Sequence, residues 1–336
     1  MADMRQPILR GTAAAARTHH ELRSREQWEQ NGGRIDVFRA IDRRGLWLMF
    51  RPLDGLLGAY LDHPSRAILI NTQRPWSVRR YTAAHELGHH ILGHQTSVDG
   101  AQMIARSPFR GGYDPQEVEA DAFAIAFLVP LWFVAGVMRQ RSWKSADMVN
   151  PANVYQLSLR AGASYEATCY ALRNHKVVDT ATSNKLTQMQ PKKIKEALLT
   201  SFEPDNWWLD VWGLNETDNK AYLDLTLNDV IEISLAEHSG GGYMWDVAGI
   251  AQADFEVISD RREQTDTSNA VGSHVRRRVT ARAKSEGVGS VQFVERRPWE
   301  APGQPLNSYQ FTYDVQGIQK SGLLDAQLER MAGAVE

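Results

Sequence analysis

The spacing of apolar and polar residues divides the chain into a helical first half and a second half of short alternating segments. Up to about residue 180, most apolar positions recur three or four residues apart, as they do in amphipathic helices. From about residue 206 they alternate with polar positions in runs that end at Gly, Asn, Asp or Pro, which is typical of antiparallel strands. The pattern predicts an α+β chain: a mixed helical and short-sheet domain, followed by an all-β sandwich or barrel.

The first half also contains three short runs that predict strands, at residues 46–53, 56–62 and 66–71. Helical periodicity predicts the remaining elements. The predicted helices cover residues 12–29, 33–45, 78–94 and 115–129, followed by a helix pair at 152–176 joined through Ala161 and Gly162. Asp114 and Pro115 begin the fourth helix as its N-cap and first residue, because Asp accepts from free N–H groups there and Pro has none to offer.

Composition shifts predict the domain organisation. The polar stretch at residues 179–193 marks the change from helical to strand periodicity. We expect a first domain at 1–190, which includes the helix pair at 152–176, a linker at 191–204, a sandwich domain at 205–320 and a tail at 321–336.

Composition narrows the classes of protein to consider. A hydrophobic fraction of 43% over 336 residues supports real cores, and a net charge of -2 gives no general attraction to nucleic acid or membranes. The single cysteine, Cys169, excludes an internal disulfide framework and suits a reducing cytosol. The N-terminus lacks the apolar core of a secretory signal, and the longest apolar run, at 122–137, contains Pro130 and is too short to span a bilayer. We expect a cytoplasmic protein with no membrane segment.

The segment HELGH carries the first candidate chemistry. His85 and His89 are four residues apart on a predicted helix, so they lie about 40° apart around its axis and both rings can reach one ion. Glu86 projects to the side, where it can polarise a metal-bound water. A hydrolytic zinc centre needs three protein ligands and an open fourth position, so a third ligand is required.

His94 does not have the spacing of a third ligand. The pattern H-E-x-x-H-x-x-G-x-x-H would need Gly at position 92 and His at 95, whereas this chain has Leu92 and Gln95. We interpret His94 as a residue at the C-terminal end of the helix, where the helix dipole favours it. His90 is next to a ligand on a different face and is interpreted as a packing or surface residue.

A second predicted helix offers a better third ligand. Glu117 and Asp121 are one turn apart in PQEVEADAFAIAFLVP. The first can ligate, while the second can accept a hydrogen bond from a ligand imidazole and so set its tautomer. Glu119 lies between them, faces elsewhere and is predicted to be a solvated carboxylate. The sequence thus predicts one Zn²⁺ per chain on His85, His89 and Glu117, although another divalent ion would accept similar ligands.

These segments together resemble the ImmA/IrrE family of metallopeptidases. The resemblance covers roughly residues 15–180 through LLGAYLD, AILIN, RRYTAAHELGHHILGH, EVEADAFAIAFLVP (the ExxAD helix) and the helix pair. It implies a gluzincin-like fold with His85, His89 and Glu117 as zinc ligands and Glu86 as general base; Asp121 stands where many members have Asn. It also implies a cytoplasmic endopeptidase that cleaves a helix-turn-helix repressor in a stress or mobile-element response.

Peptide hydrolysis would need Glu86 to move a proton and a further donor to stabilise the oxyanion. His175, Tyr113 and Tyr165 are candidates among which the sequence does not choose. The helix pair at 152–176 has the pattern of a helix-turn-helix motif. Its second helix lacks the flanking basic residues that contacts with DNA phosphates require. We therefore expect a packing or substrate-docking module without direct nucleic-acid binding, and a buried Cys169.

The region at about 205–316 resembles the chagasin family of cysteine-peptidase inhibitors. The resemblance rests on VIEISLAEHSGGGYMWDV and GVGSVQFVERRPWE, and it implies an immunoglobulin-like β-sandwich whose loops enter a protease cleft. The first loop lacks the family's Asn-Pro-Thr-Thr, and the second, at residues 268–274, only weakly matches its Gly-rich motif. The candidate partner-binding residues are Gly242, Tyr243, Trp245, Arg297, Pro298 and Trp299.

The sequence leaves two candidate functions. The first is a zinc endopeptidase whose sandwich regulates it, docks its substrate or inhibits a protease. The alternative is a protein-binding regulator or cysteine-peptidase inhibitor in which the metal site is structural. The presence of Glu86 favours the peptidase, because a structural zinc site needs no general base.

Overall fold

The chain passes back and forth between two structural units. A computed structural model describes residues 5–63, 65–94, 97–100, 114–199, 201–264, 275–300, 304–317 and 321–333. Unit 1 comprises Met1–Ala135, Ala161–Asp179 and Gln319–Glu336, and unit 2 comprises Gly136–Arg160 and Thr180–Ile318. The two helices of the predicted pair at 152–176 therefore fall largely in different units.

Helices and strands occur in the order that the periodicity predicts. The helices among the described residues are α1 (Arg5–Leu22), α2 (Ser24–Asn31), α3 (Val37–Arg43), α4 (Trp76–Leu92), α5 (Pro115–Leu128), α6 (Leu131–Gln140), α7 (Pro151–Ala161), α8 (Tyr165–Asn174), α9 (Thr180–Thr187), α10 (Pro191–Leu198), α11 (Ala248–Ala251) and α12 (Asp325–Gly333). The strands are β1 (Trp47–Arg51), β2 (Leu56–Leu61), β3 (Ala67–Asn71), β4 (Ser97–Gly100), β5 (Val211–Leu214), β6 (Ala221–Thr226), β7 (Val230–Glu237), β8 (Met244–Asp246), β9 (Phe255–Gln264), β10 (Val275–Ala283), β11 (Gly287–Arg296), β12 (Asn307–Gln316) and β13 (Gly322–Leu323).

Unit 1 is built on a five-stranded sheet in the order β13-β1-β3-β2-β4. Strand β3 runs parallel to β1 and antiparallel to β2, so the three predicted strands form its centre. Alternate residues of β1 and β3 are fully buried, and α3 and α4 pack against the sheet. Helix α5 packs against both α1 and α4, which brings together the two helices that carry the candidate ligands.

The last described residues return to unit 1. Strand β13 pairs antiparallel with β1, and α12 follows it. The buried Gln327 side chain accepts a hydrogen bond from the Leu48 N–H (3.0 Å) and donates to the Leu46 carbonyl (2.9 Å) and to Asp42 Oδ1 (3.0 Å). Residues predicted as a separate tail therefore complete the edge of this sheet.

Two other stretches differ from their predictions, and a third is a buried helix interrupted at a proline, as expected. The single helix predicted at 12–29 is two helices, because Arg23 takes a left-handed conformation (φ 51°) between α1 and α2. Residues 191–198, predicted as linker, form α10. The apolar stretch Pro115–Gln140 is long and apolar enough to cross a membrane by length and composition, but it is largely buried and breaks into α5 and α6 around Pro130.

Unit 2 is a sandwich of two four-stranded sheets, β5-β7-β10-β9 and β6-β12-β11-β8. Alternation along the strands forms its core: Tyr309, Phe311, Tyr313 and Val315 of β12 are all buried, with polar residues between them. The α+β fold class with a C-terminal all-β domain is thus confirmed. The mixture of parallel and antiparallel pairs follows from β5 and β6, which lie parallel to β7 and β12.

Candidate metal centre

Helix α4 places His85 and His89 side by side. Both rings are buried, and their Nε2 atoms are 3.0 Å apart. Because the two residues are four positions apart, successive turns of one helix face present them to the same point. The sequence spacing therefore translates directly into convergent imidazole nitrogens.

Helix α5 brings Glu117 to this point. The Glu117 carboxylate approaches both rings, with Oε2 at 3.3 Å from His85 Nε2 and Oε1 at 3.5 Å from His89 Nε2. Asp114 fixes the start of α5, since its side chain accepts a hydrogen bond from the Gln116 N–H (2.9 Å). The three side chains form the one group with metal-binding geometry in the part of the chain that the structure describes.

The geometry and protonation of these residues fit a divalent metal ion. Ligand atoms at about 2.0–2.2 Å from a tetrahedral zinc ion lie roughly 3.4 Å from one another, close to the separations in this group. Burial, and then the neighbouring His85 ring, lower the pKa of His89 to about 3, which keeps His89 in the neutral form that ligates.

Asp121 orients His85. Its Oδ1 accepts a hydrogen bond from His85 Nδ1–H (3.0 Å) and another from the Tyr81 hydroxyl (2.7 Å). With its Nδ1 protonated, His85 directs the Nε2 lone pair toward Glu117. Tyr81 was not singled out from the sequence, although it lies one turn before His85 on the same helix face.

Glu86 is fully buried beside the sheet. Strand β2 approaches α4 closely there because Gly58 has no side chain: a Cβ at Gly58 would lie 2.5 Å from Thr82 Cγ2 and 3.6 Å from Glu86 Oε1. The carboxylate is thus held in a narrow space between helix and strand, next in sequence to the first candidate ligand.

Two neighbouring residues differ from, or add to, the sequence interpretation. Glu119 was predicted to be solvated, and this is wrong, because its side chain is buried. His94 Nε2 lies 3.0 Å from Glu119 Oε2, and Arg10 Nη1 lies 2.8 Å from Glu119 Oε1. His90 lies away from the centre, with its Nδ1 3.0 Å from the Tyr60 hydroxyl. Glu119 could not be recognised from its own helix, because both of its partners lie outside α5.

His175 and Tyr165, the two oxyanion candidates within the described residues, have partners away from the centre. His175 Nε2–H donates to the Val129 carbonyl (2.8 Å), and Val129 follows Glu117 by twelve residues, roughly 18 Å along a helix. Tyr165 is buried in α8 beside Cys169, and burial raises the pKa of its hydroxyl. Tyr113 lies outside the described residues. Cys169 is buried, as predicted.

The candidate partner-binding residues of unit 2 divide into a surface group and a buried one. The Arg297 guanidinium lies 4.6 Å from the centre of the Tyr243 ring, and its Nε–H donates to the Gly241 carbonyl (2.9 Å). Gly242 (φ 79°) accommodates the Trp299 ring, 2.6 Å from where a Cβ would be. Trp299 is 68% exposed.

Trp245 belongs to the interior of unit 2. It is buried, and its indole Nε1–H donates to the Ala236 carbonyl (2.7 Å). Pro298 is exposed beside Trp299. The second loop, at residues 268–274, lies outside the described residues. The surface group therefore consists of half-buried Tyr243 and Arg297 and exposed Pro298 and Trp299, which we call the tryptophan loop surface.

Comparison with known proteins identifies both halves of the chain. Residues 41–173 match the family model described as IrrE N-terminal-like domain, and residues 224–315 match the chagasin family of peptidase inhibitors. Both resemblances predicted from the sequence are thereby confirmed. The first half has a metallopeptidase-like fold, and the second is a chagasin-like domain.

Similar individual proteins align with the second half. Amoebiasin-2 of Entamoeba histolytica is 28% identical over 103 residues, which cover 30% of this chain and 81% of that protein. Among solved structures, the cysteine protease inhibitor EhICP2 of Entamoeba histolytica is 23% identical, with 34% of this chain and all of that chain covered and a TM-score of 0.30. PbICP-C in complex with falcipain-2 is 12% identical over 34% of this chain and 97% of that chain, with a TM-score of 0.19.

Proposed function

We propose that this protein is a zinc-dependent endopeptidase whose metal ligands are His85, His89 and Glu117. The observation that carries the proposal is the convergence of these three side chains beside a buried Glu86. The match of residues 41–173 to an IrrE N-terminal-like domain supports the same activity. A structural zinc site would instead have four protein ligands and no need of a base.

Each residue of the candidate centre has a distinct role in this reaction. A zinc ion held by His85, His89 and Glu117 would supply Lewis-acid polarisation of a peptide carbonyl and would lower the pKa of a bound water to ~7. Glu86 accepts the proton of the attacking water and delivers it to the leaving amine. Asp121 and Tyr81 hold His85 in the ligating tautomer. General acid–base catalysis of this kind contributes about 10²–10⁴-fold to the rate.

The test compares new protein N-termini in cells that express the wild type or Glu86→Gln. We expect a small set of cleavages with the wild type alone, and equal zinc content in both purified proteins. Glu29→Gln, an exposed carboxylate on α2, is the matched control and should give the wild-type set. Identical N-termini with and without Glu86 would refute the peptidase.

The substrate class is a second part of the proposal. We propose that the substrate is a cytoplasmic helix-turn-helix repressor, cleaved in a stress or mobile-element response, as the resemblance to the ImmA/IrrE family implies. The same comparison of N-termini identifies the cleaved proteins. Repressors among them would support this class, whereas cleavage confined to other proteins would refute it and leave the peptidase standing.

The tryptophan loop surface favours a second function, the binding of a cysteine peptidase. Its support is an exposed Trp299 whose ring lies against Gly242, beside the contact of Arg297 with the Tyr243 ring, in a domain that matches a family of peptidase inhibitors. Titrating papain with the intact chain should reduce peptidase activity, and Trp299→Ala should abolish the effect. Trp208→Ala, which changes another exposed tryptophan of unit 2, is the control. Unchanged papain activity would argue against this function.

The same variants test whether the sandwich regulates the metallopeptidase. Increased Glu86-dependent cleavage by Trp299→Ala would indicate restraint, and decreased cleavage would indicate substrate docking. Cleavage equal to that of Trp208→Ala would exclude both roles for this surface. Point variants are preferable to truncation at residue 195. That truncation also removes β13, an edge strand of the unit 1 sheet, and the helix α12 that follows it.

A further inference from the structure

The ring of His89 has a second contact that the proposed reaction does not use. While Nε2 faces the metal centre, Nδ1 lies 2.9 Å from Nδ1 of His94. Two imidazole nitrogens at this distance share one hydrogen, so one ring donates and the other accepts. Which ring donates determines whether His89 can ligate through Nε2, because a neutral imidazole carries one N–H and one lone pair.

Glu119 determines the direction of this hydrogen bond. His94 Nε2 is 3.0 Å from Glu119 Oε2, and a carboxylate can only accept. His94 therefore carries its hydrogen on Nε2 and offers the Nδ1 lone pair to His89. In turn, His89 carries its hydrogen on Nδ1 and keeps the Nε2 lone pair for the metal.

Two further contacts hold this arrangement in place. Arg10 Nη1 donates to Glu119 Oε1 (2.8 Å), so the buried carboxylate has a cation on one oxygen and His94 on the other. The backbone N–H of His94 donates to the His89 carbonyl (3.0 Å) just after α4 ends, which turns the chain back toward His89. If α4 continued to residue 94, His94 would lie about 140° from His89 around the helix axis. The contact between the two rings therefore requires that the helix end before His94.

We propose that His94 and Glu119, supported by Arg10, are positioning residues that set the tautomer and orientation of His89. They are the counterpart of Asp121 and Tyr81, which act on His85. This inference rests on the proposed metal centre and assigns no ligand role to His94, because both of its ring nitrogens already have partners. Partners of this kind typically change metal affinity by about 10–100-fold.

The experiment measures zinc affinity by competition with a chromophoric chelator, using the full chain. We expect His94→Ala to bind zinc about 10–100-fold more weakly than the wild type. His94→Asn should recover most of the affinity, because its side-chain oxygen can take the place of the accepting Nδ1. His90→Ala, a neighbouring histidine bonded to Tyr60, is the control and should bind as the wild type does.

A second measurement separates positioning from a purely structural role. In the metal-free protein, ring ¹⁵N chemical shifts should show His89 protonated at Nδ1 in the wild type and in His94→Asn, and a mixture of tautomers in His94→Ala. Glu119→Gln should weaken zinc binding less than His94→Ala does, and the double variant should bind no more weakly than His94→Ala, because both residues act through one hydrogen-bond path.

The outcomes distinguish this inference from the proposed function. If the wild type binds zinc and His94→Ala binds it equally well, the positioning role is refuted and the metallopeptidase stands. If the wild type binds no zinc, the metal centre itself is refuted. If His94→Ala does not fold, the comparison of Glu119→Gln with the wild type decides, and equal affinities would overturn the inference.

Discussion

Two groups of buried ionisable side chains, one in each unit, are arranged in opposite ways. In unit 2, Asp218 accepts from Arg160 (2.7 Å) and Arg141, and buried Glu237 pairs with Arg262 and Arg277. Both of these buried acids have cations from the same chain. In unit 1, by contrast, two imidazoles and a carboxylate bring their potential ligand atoms to one point.

This difference indicates where a bound cation belongs. Burying a charge or an acceptor without a partner costs several kcal/mol, so folded chains normally provide the partner themselves. At Asp218 and Glu237, unit 2 does so with arginines. The centre of unit 1 instead collects acceptors around one point, which is the arrangement expected of a site completed by an ion from solution. Four predictions test this contrast, from the largest expected effect to the smallest.

Removing the shared acid of unit 2 should have the largest effect. Asp218→Asn leaves Arg141 and Arg160 with no carboxylate between them, and breaking a buried pair in this way costs about 3–5 kcal/mol. The loss should be visible as faster hydrogen exchange in β5 and β7. Glu256→Gln, which breaks an exposed pair in the same unit, should change stability by less than about 1 kcal/mol. Equal effects would contradict the contrast.

Zinc should stabilise unit 1 alone. At a free concentration of a thousand times Kd, a ligand that binds only the folded state contributes about 4 kcal/mol. Hydrogen exchange in α4 and α5 should therefore slow on addition of zinc and recover with a chelator, while β7 and β10 should not respond. Glu117→Ala should abolish the response. Equal slowing in both units would indicate non-specific binding.

Low pH should destabilise unit 1 through His19, a buried histidine whose ring N–H donates to a backbone carbonyl. Its Nε2–H donates to the Phe127 carbonyl (3.0 Å), and burial lowers its pKa from 6.5 to about 4. The unfolded chain takes up this proton first, so stability present above pH 6.5 is lost as the pH falls toward 4. The loss amounts to about 3 kcal/mol at roughly 1.4 kcal/mol per pH unit.

Chemical denaturation of unit 1 at several pH values measures this effect. His19→Phe keeps a ring beside Phe127, with which His19 stacks at 4.6 Å between centroids, and removes the titrating group. The variant should show a flatter dependence of stability on pH between 6.5 and 4. An unchanged slope would mean that another group carries the loss.

The smallest effects concern the returning C-terminal segment. Gln327→Ala leaves the buried Leu48 N–H and Leu46 carbonyl without their side-chain partner, which should cost unit 1 about 2 kcal/mol. Arg330→Ala breaks only an exposed ion pair with Asp42 and should cost less than about 1 kcal/mol. Urea unfolding monitored in β1 compares them. A larger loss with Arg330→Ala would show that charge, and not the amide, holds the segment.

Local spacing made much of the fold and the candidate site predictable. His85 and His89 lie on one turn of one helix, and strand alternation revealed the sandwich because a half-buried strand repeats every two residues. The exceptions are contacts between distant segments. Glu119 meets His94 and Arg10 on different elements, and Gln327 meets Leu48 across most of the chain. No periodicity within one segment contains such information.

The path of the chain has a consequence for synthesis. A ribosome adds β13 and α12 after every strand of the sandwich, so β1 has no partner on its outer side while the sandwich is being made. A chain that stops within the sandwich leaves that edge of the sheet open, and an open edge pairs readily with other strands. A complete sheet of unit 1 therefore exists only in molecules whose chagasin-like domain has already been translated.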